Sequence, residues 1–164
     1  VSGVEAIVTR APELAVGVIA ADCVPEQLAD EDAGVIAAAH AGRRGVAARI
    51  VVDTVERMTD LGADPSRLWV WVGPAICGRC YEVGEDVAAQ TLAVAPDAAS
   101  TTSWGTSALD LPQAVRAQLA ECGVAPAHVV SDDRCTREDP TLYSYRRDGR
   151  TGRQASVIVR SDDG

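Results

Sequence analysis

The sequence predicts an α/β or α+β domain, and three features carry that expectation. Short apolar runs have the length and flanking turn residues of strands; two longer segments carry apolar residues at helical spacing; and strands and helices alternate along the chain. At 164 residues, with 47% hydrophobic and 24% charged content, a single domain over residues 1–164 with one buried core is expected. The first residue is Val and the chain opens in an apolar run, so further residues are expected upstream.

Taken in order, Val4 to Val8 and Leu14 to Ala20 read as strands joined by a turn at Arg10-Ala11-Pro12-Glu13. Gly34 to Ala39 reads as a third strand. His40 to Gly45 is a glycine-containing bend into a helix, because Val46, Ile50, Thr54, Val55, Met58 and Leu61 recur at three- and four-residue intervals and Gly62 follows as a cap. Leu68 to Val72 is a compact run expected to be a buried strand, stopped by Gly73-Pro74. A helix is expected to start near Glu85, where Glu85 and Asp86 suit the positive end of its dipole. Ser100 to Thr106 is rich in Ser and Thr and reads as a surface loop. Asp110-Leu111-Pro112 opens a helix that continues through Val115 and Leu119 to Gly123, and Ala155 to Val159 reads as a last strand. This pattern does not fix the strand order.

The formal charge of −9 argues against nucleic acid or an anionic membrane as a partner, because phosphate would be repelled. No window has the length of a membrane span and the start lacks the pattern of a signal peptide. Five cysteines, an odd number, favour free thiols or metal ligands over a disulfide framework, and a reducing, cytoplasmic setting is expected. All 15 basic residues are Arg. Six of them (Arg134, Arg137, Arg146, Arg147, Arg150 and Arg153) crowd one late segment, and Arg43-Arg44 sit in the glycine bend. Such clusters are candidate anion sites, although any single Arg is more often paired with a surface acid.

Two residues stand out for chemistry. Cys23 follows a strand and His40 ends another, a placement that can bring a thiolate and an imidazole to one sheet edge. Together they could hold Zn²⁺ or copper, or act as nucleophile and base, or simply be packed; spacing alone does not choose. Gly42-Arg43-Arg44-Gly45 could receive an anion on unpaired backbone N–H groups. Cys77-Gly78-Arg79-Cys80 has redox or zinc-ribbon spacing, but a ribbon needs a second pair and none is read here. His128 lies among apolar residues and is expected to be a packed or surface histidine rather than a ligand.

Several blocks, in this order, resemble the bacterial YfiH/laccase-domain family of metal-dependent purine nucleoside phosphorylases. They are Ala21-Asp22-Cys23-Val24-Pro25, Leu28-Ala29-Asp30, Ala39-His40-Ala41-Gly42-Arg43-Arg44-Gly45, Gly73-Pro74-Ala75-Ile76 and Cys80-Tyr81-Glu82-Val83-Gly84. Asp110-Leu111-Pro112, Cys135-Thr136, Tyr143-Ser144-Tyr145-Arg146-Arg147-Asp148 and Thr151-Gly152-Arg153 complete the match, which resembles the family's C-terminal two thirds. The resemblance implies a layered α/β/β/α sandwich, related to the fold of certain deamidating toxins, and one mononuclear Zn or copper site built from one Cys and two His. Cys23 and His40 fall on the Cys and the second His. The first His belongs to a Gln-Val-His-Gly-like segment expected upstream, so no residue of this chain takes that role. The implied activity is phosphorolysis of adenosine, inosine, guanosine and methylthioadenosine, with adenosine deamination. Its partners would be purine nucleosides and phosphate, with Arg44 and Arg146 contacting substrate. Asp22, Glu82 and Asp148 are unranked candidates for moving a proton.

Two positions depart from the family pattern: Arg43 replaces a usual Trp, and Glu26-Gln27 replaces a usually apolar pair. A Cys23/His40 amidase or peptidoglycan-precursor editing enzyme is the competing enzymatic reading, and a non-catalytic diverged member is the other alternative. A laccase needs several copper ions, which two histidines serve poorly.

Overall fold

A computed structural model describes residues 5–161. Its centre is a five-stranded sheet in the order β1-β4-β3-β5-β8. The strands are β1 (Ala6–Thr9), β3 (Val24–Asp30), β4 (Val35–Ala41), β5 (Trp69–Val72) and β8 (Val129–Ser131). Neighbours run antiparallel except β5 and β8. A separate ribbon pairs β2 (Val16–Ala20) with β9 (Gln154–Ile158), and β6 (Ala99–Thr101) with β7 (Ser107–Leu109) forms a small hairpin.

Alternation along the strands decides what each face packs against. Val24 and Leu28 of β3, with Val35, Ala37 and Ala41 of β4, join a core with α2 (Ile50–Asp60) and α4 (Leu111–Glu121). Residues of the opposite parity, Ala29, Ile36 and Ala38, pack under Val16, Val18 and Ile158 of the ribbon. Helices, sheet and ribbon thus stack as layers, a mixed α/β arrangement, and Ile19 and Val157 lie exposed on the ribbon.

Several elements differ from the sequence expectation, each for a local reason. The first two strands are joined by a turn as expected but do not pair with each other: β1 adds to the sheet edge beside β4, while β2 crosses to pair with β9 at the far end of the chain. Val4 lies outside the described residues. The strand β3 is buried at all seven positions, although Pro25, Glu26, Gln27 and Asp30 disguise it. Its polar groups are accommodated one by one. Gln27 donates to Ser156 Oγ on the ribbon. Burial alone would raise the Asp30 carboxyl, but the backbone N–H groups of Asp64 and Ala33 and the Arg67 guanidinium hold it below the usual range. Glu26 is fully buried, neither carboxyl oxygen has a hydrogen-bond partner among the described residues, and burial pushes it up to about 8.

The helix expected from Val46 onward is broken in two. The short α1 (Arg43–Ala47) closes through Arg49 N–H to the Val46 carbonyl, and Arg49 then takes a left-handed conformation (φ 61°) that redirects the chain into α2. Leu68 to Val72 is a strand from Trp69, but it alternates: Val70 and Val72 are buried while Trp69 and Trp71 face outward. Within Ser100 to Thr106, Ser100 and Thr101 belong to β6 and the rest is the loop of the β6–β7 hairpin. Other expectations are met. Glu85 starts α3 (Glu85–Leu92), and the Asp110 carboxylate caps α4 by accepting from Gln113 N–H at 2.9 Å. Gly62 and Gly123 follow α2 and α4 at φ 99° and 88°.

Candidate active site and a second thiol cluster

The antiparallel register of β3 and β4 sets Pro25 opposite His40, so the bend before β3 and the end of β4 meet at one end of the sheet. There Cys23 comes up to the His40 ring, close enough to act on its charge. Gly42 makes the approach possible, because a Cβ on it would stand 2.9 Å from Cys23 Sγ and 3.7 Å from His40 Cε1. Glu5, just before β1, holds His40 from the other side: the His40 backbone N–H donates to the Glu5 carbonyl at 2.8 Å, and the ring Nδ1 lies 2.6 Å from Glu5 Oε2. Cys23, assisted by Glu5 and against the opposing effect of burial, pushes His40 up to about 9. A carboxylate on one imidazole nitrogen fixes the ring and leaves Nε2 for a metal or a proton.

Asp22 supports this corner from behind. It is buried with φ 88°, an uncommon conformation for a residue other than Gly, and three contacts hold it. Its carboxylate accepts from Thr136 Oγ1 at 2.7 Å and from Arg146 N–H at 2.6 Å, and its carbonyl accepts from Ile76 N–H at 2.9 Å. Both carboxylate oxygens are engaged, so positioning suits Asp22 better than proton transfer. Of the other two acids, Glu82 accepts from Trp104 Nε1 at 3.3 Å and Asp148 pairs with Arg147.

In front of Cys23 and His40 opens a cleft of about 520 Å³, lined also by Tyr81, Tyr145, Arg146 and Arg153. Arg146 reaches across the Tyr81 ring, 5.0 Å from its centroid, and donates to the Glu82 carbonyl. Arg44 is exposed on α1 and does not line the cleft, whereas the Arg43 charge acts on Tyr81. The remaining late arginines are largely structural. Arg134 pairs with Asp132, Arg137 stacks over Trp104, and Arg147 ties together the carbonyls of Thr136, Asp139 and Leu142. His128 stacks on Trp69 at 4.5 Å, packed as expected.

A second group was only half legible in the sequence. Cys77, Cys80, Cys135 and Glu138 bring three thiols and a carboxylate within 4.8 Å of one another, a set able to hold one metal ion. The Cys77–Cys80 pair therefore does have a second pair, whose fourth member is a carboxylate. The matching signal, Cys135-x-x-Glu138 at the same spacing as Cys77-x-x-Cys80, is overlooked when only Cys and His are counted. Glu5 gives no comparable signal, since its pairing with His40 spans 35 residues and depends on β1 joining β4.

Comparison with known proteins places these features in a family. Residues 1–161 match the family model described as multi-copper polyphenol oxidoreductase laccase. A purine nucleoside phosphorylase of Streptomyces coelicolor is 50% identical over 155 residues, covering 94% of this chain and 63% of that protein. An adenosine deaminase from an unknown prokaryotic organism is 38% identical over 164 residues, again with 63% of its length covered. Among solved structures, YlmD from Geobacillus stearothermophilus superposes with a TM-score of 0.88 at 36% identity, over 98% of this chain and 62% of that one. Bacillus licheniformis YfiH gives 0.87 at 29% identity, over 96% and 61%. The chain thus spans somewhat under two thirds of these relatives, and it belongs to the multi-copper polyphenol oxidoreductase laccase family, the laccase-domain family that its sequence blocks resemble.

Proposed function

We propose that this chain carries the catalytic corner of a purine nucleoside phosphorylase that also deaminates adenosine, with Cys23 and His40 as two ligands of one Zn or copper ion. The observation that carries the reading is the Cys23–His40–Glu5 arrangement at the floor of a cleft edged by arginine. The donor set suits such an ion: one soft thiol, and one imidazole whose far nitrogen is held by a carboxylate. When bound, the ion would supply Lewis acidity for the deamination step. The names of the relatives, purine nucleoside phosphorylase and adenosine deaminase, point to the same two reactions.

In phosphorolysis a phosphate oxygen bonds to the ribose C1′ as the bond to the purine nitrogen breaks, and positive charge develops on the sugar. Arg146 and Arg153, which line the cleft, would bind the phosphate and keep it beside that carbon, where fixed charges stabilise the transition state. Arg44, exposed two residues beyond Gly42, is proposed as a further phosphate contact that swings in from α1. Tyr145, 62% exposed and lining the cleft, offers a face for the purine base. A cytoplasmic setting fits five free cysteines.

The same arrangement also has the order of nucleophile, base and orienting acid, which keeps the Cys23-dependent amidase as a second reading. Metal analysis and turnover of Cys23→Ser and His40→Ala separate the two. The nucleoside enzyme predicts that either variant stays folded but loses the ion held at Cys23 and His40 together with nucleoside turnover. Turnover by wild type that survives a chelator and is abolished by alkylation of Cys23 would favour the amidase.

A further inference from the structure

The second thiol cluster sits behind the cleft rather than in it, and its construction is that of a closed metal site. Two turns supply the four groups. In the first, Cys80 N–H donates to the Cys77 carbonyl at 2.9 Å; in the second, Glu138 N–H donates to the Cys135 carbonyl at 3.1 Å. Each turn therefore presents side chains three residues apart to the same point. A parallel bridge between Ala75 and Cys135 holds the turns against each other. Cys77 N–H points at Cys135 Sγ at 3.3 Å, and Cys80 Sγ lies 3.4 Å from Glu138 Oε1.

We propose that Cys77, Cys80, Cys135 and Glu138 bind one structural Zn²⁺, separate from the ion proposed at Cys23 and His40. Four protein ligands complete a tetrahedron and leave no open position, which distinguishes a structural from a catalytic zinc site. Three sulfurs select a thiophilic ion over Mg²⁺ or Ca²⁺. Binding replaces the three thiol protons, which pass to solvent, so the ligands carry four negative charges against the ion's two. Arg79 lies within the first turn and Arg137 within the second, and Arg147 steadies the second by donating to the carbonyls of Thr136 and Asp139.

The site has a consequence for the cleft. The first turn follows Ile76, whose N–H holds the Asp22 carbonyl, and precedes Tyr81, which lines the cleft; the second carries Thr136, which holds the Asp22 carboxylate. Clamping the turns together fixes both anchors of the residue before Cys23. The ion would act as a positioning group for the catalytic corner without touching substrate.

The test is zinc content and zinc-edge X-ray absorption of the protein purified without chelator, in a Cys23→Ser/His40→Ala background that removes the other site. One zinc per chain is expected, with about three sulfurs at roughly 2.3 Å and one lighter ligand, and the further change Cys80→Ser should abolish it. Should Cys80→Ser fail to fold, Glu138→Ala, at an exposed position, provides the second reading: it keeps all three thiols and should lose zinc to a competing chelator at least tenfold faster than its parent. Absence of zinc from the double variant, a disulfide among Cys77, Cys80 and Cys135 in protein purified anaerobically, or unchanged zinc loss from Glu138→Ala would overturn the proposal.

Discussion

Glu26 shows how far one residue can stand from the usual rules of burial. An ionised carboxylate with no partner in a hydrocarbon core is strongly disfavoured, so the group is held protonated to about pH 8. The sign of the resulting pH dependence follows from linkage. Between pH 4.5 and 8 the folded chain keeps a proton at Glu26 that the unfolded chain releases, so this group makes stability fall as pH rises through that window. The total is on the order of 5 kcal/mol. Denaturant unfolding at several pH values should show Glu26→Gln gaining stability relative to wild type from pH 5 to pH 8; parallel profiles for the two proteins would contradict the assignment. At this scale the sequence singled out Cys23 and His40 by their own chemistry, and the structure brings the two together in one cleft. It was silent where the role depends on a remote partner. Glu5 meets His40 only because β1 closes the sheet edge, and Asp22, one of three unranked candidates for moving a proton, has both carboxylate oxygens occupied by Thr136 and Arg146.

Among the elements, helices were easier to read than strands. The α4 helix declares itself through a capping Asp110, Pro112 in its first turn and Gly123 past its end, all local signals. The β3 strand has none: it is buried on both faces, so it lacks alternation, and its Gln27 and Asp30 find partners on the ribbon and on the Asp64–Arg67 turn. The break between α1 and α2 was hidden because the apolar spacing runs through it, and only the left-handed Arg49 ends the first segment. Packing of α2 on the sheet rests on Val51, Val55 and Met58, with Met58 fully buried. Met58→Ala should therefore cost about 2–5 kcal/mol in urea unfolding, while leaving metal content at the cleft unchanged because α2 contributes no residue to it. A cost below about 1 kcal/mol would mean that the helix layer is not the core described above.

Over the whole molecule, the proposed site is assembled from segments distant in sequence. The residue before β1 is Glu5, the bend after β2 supplies Asp22 and Cys23, the end of β4 carries His40, and residues 145–153 bring Tyr145, Arg146 and Arg153. The layered sheet and ribbon gather these pieces at one end, with the Cys77–Glu138 cluster behind them. The ordered family blocks made this layout recognisable from sequence, since they mark the pieces even though spacing does not show how they meet. The most direct test of the account is product analysis by liquid chromatography after incubating the protein, purified with its metal, with adenosine and phosphate, with and without a chelator. Adenine with ribose 1-phosphate, accompanied by inosine and abolished by the chelator, is the result predicted here; no product from metal-loaded protein, or product formation indifferent to the chelator, would contradict it.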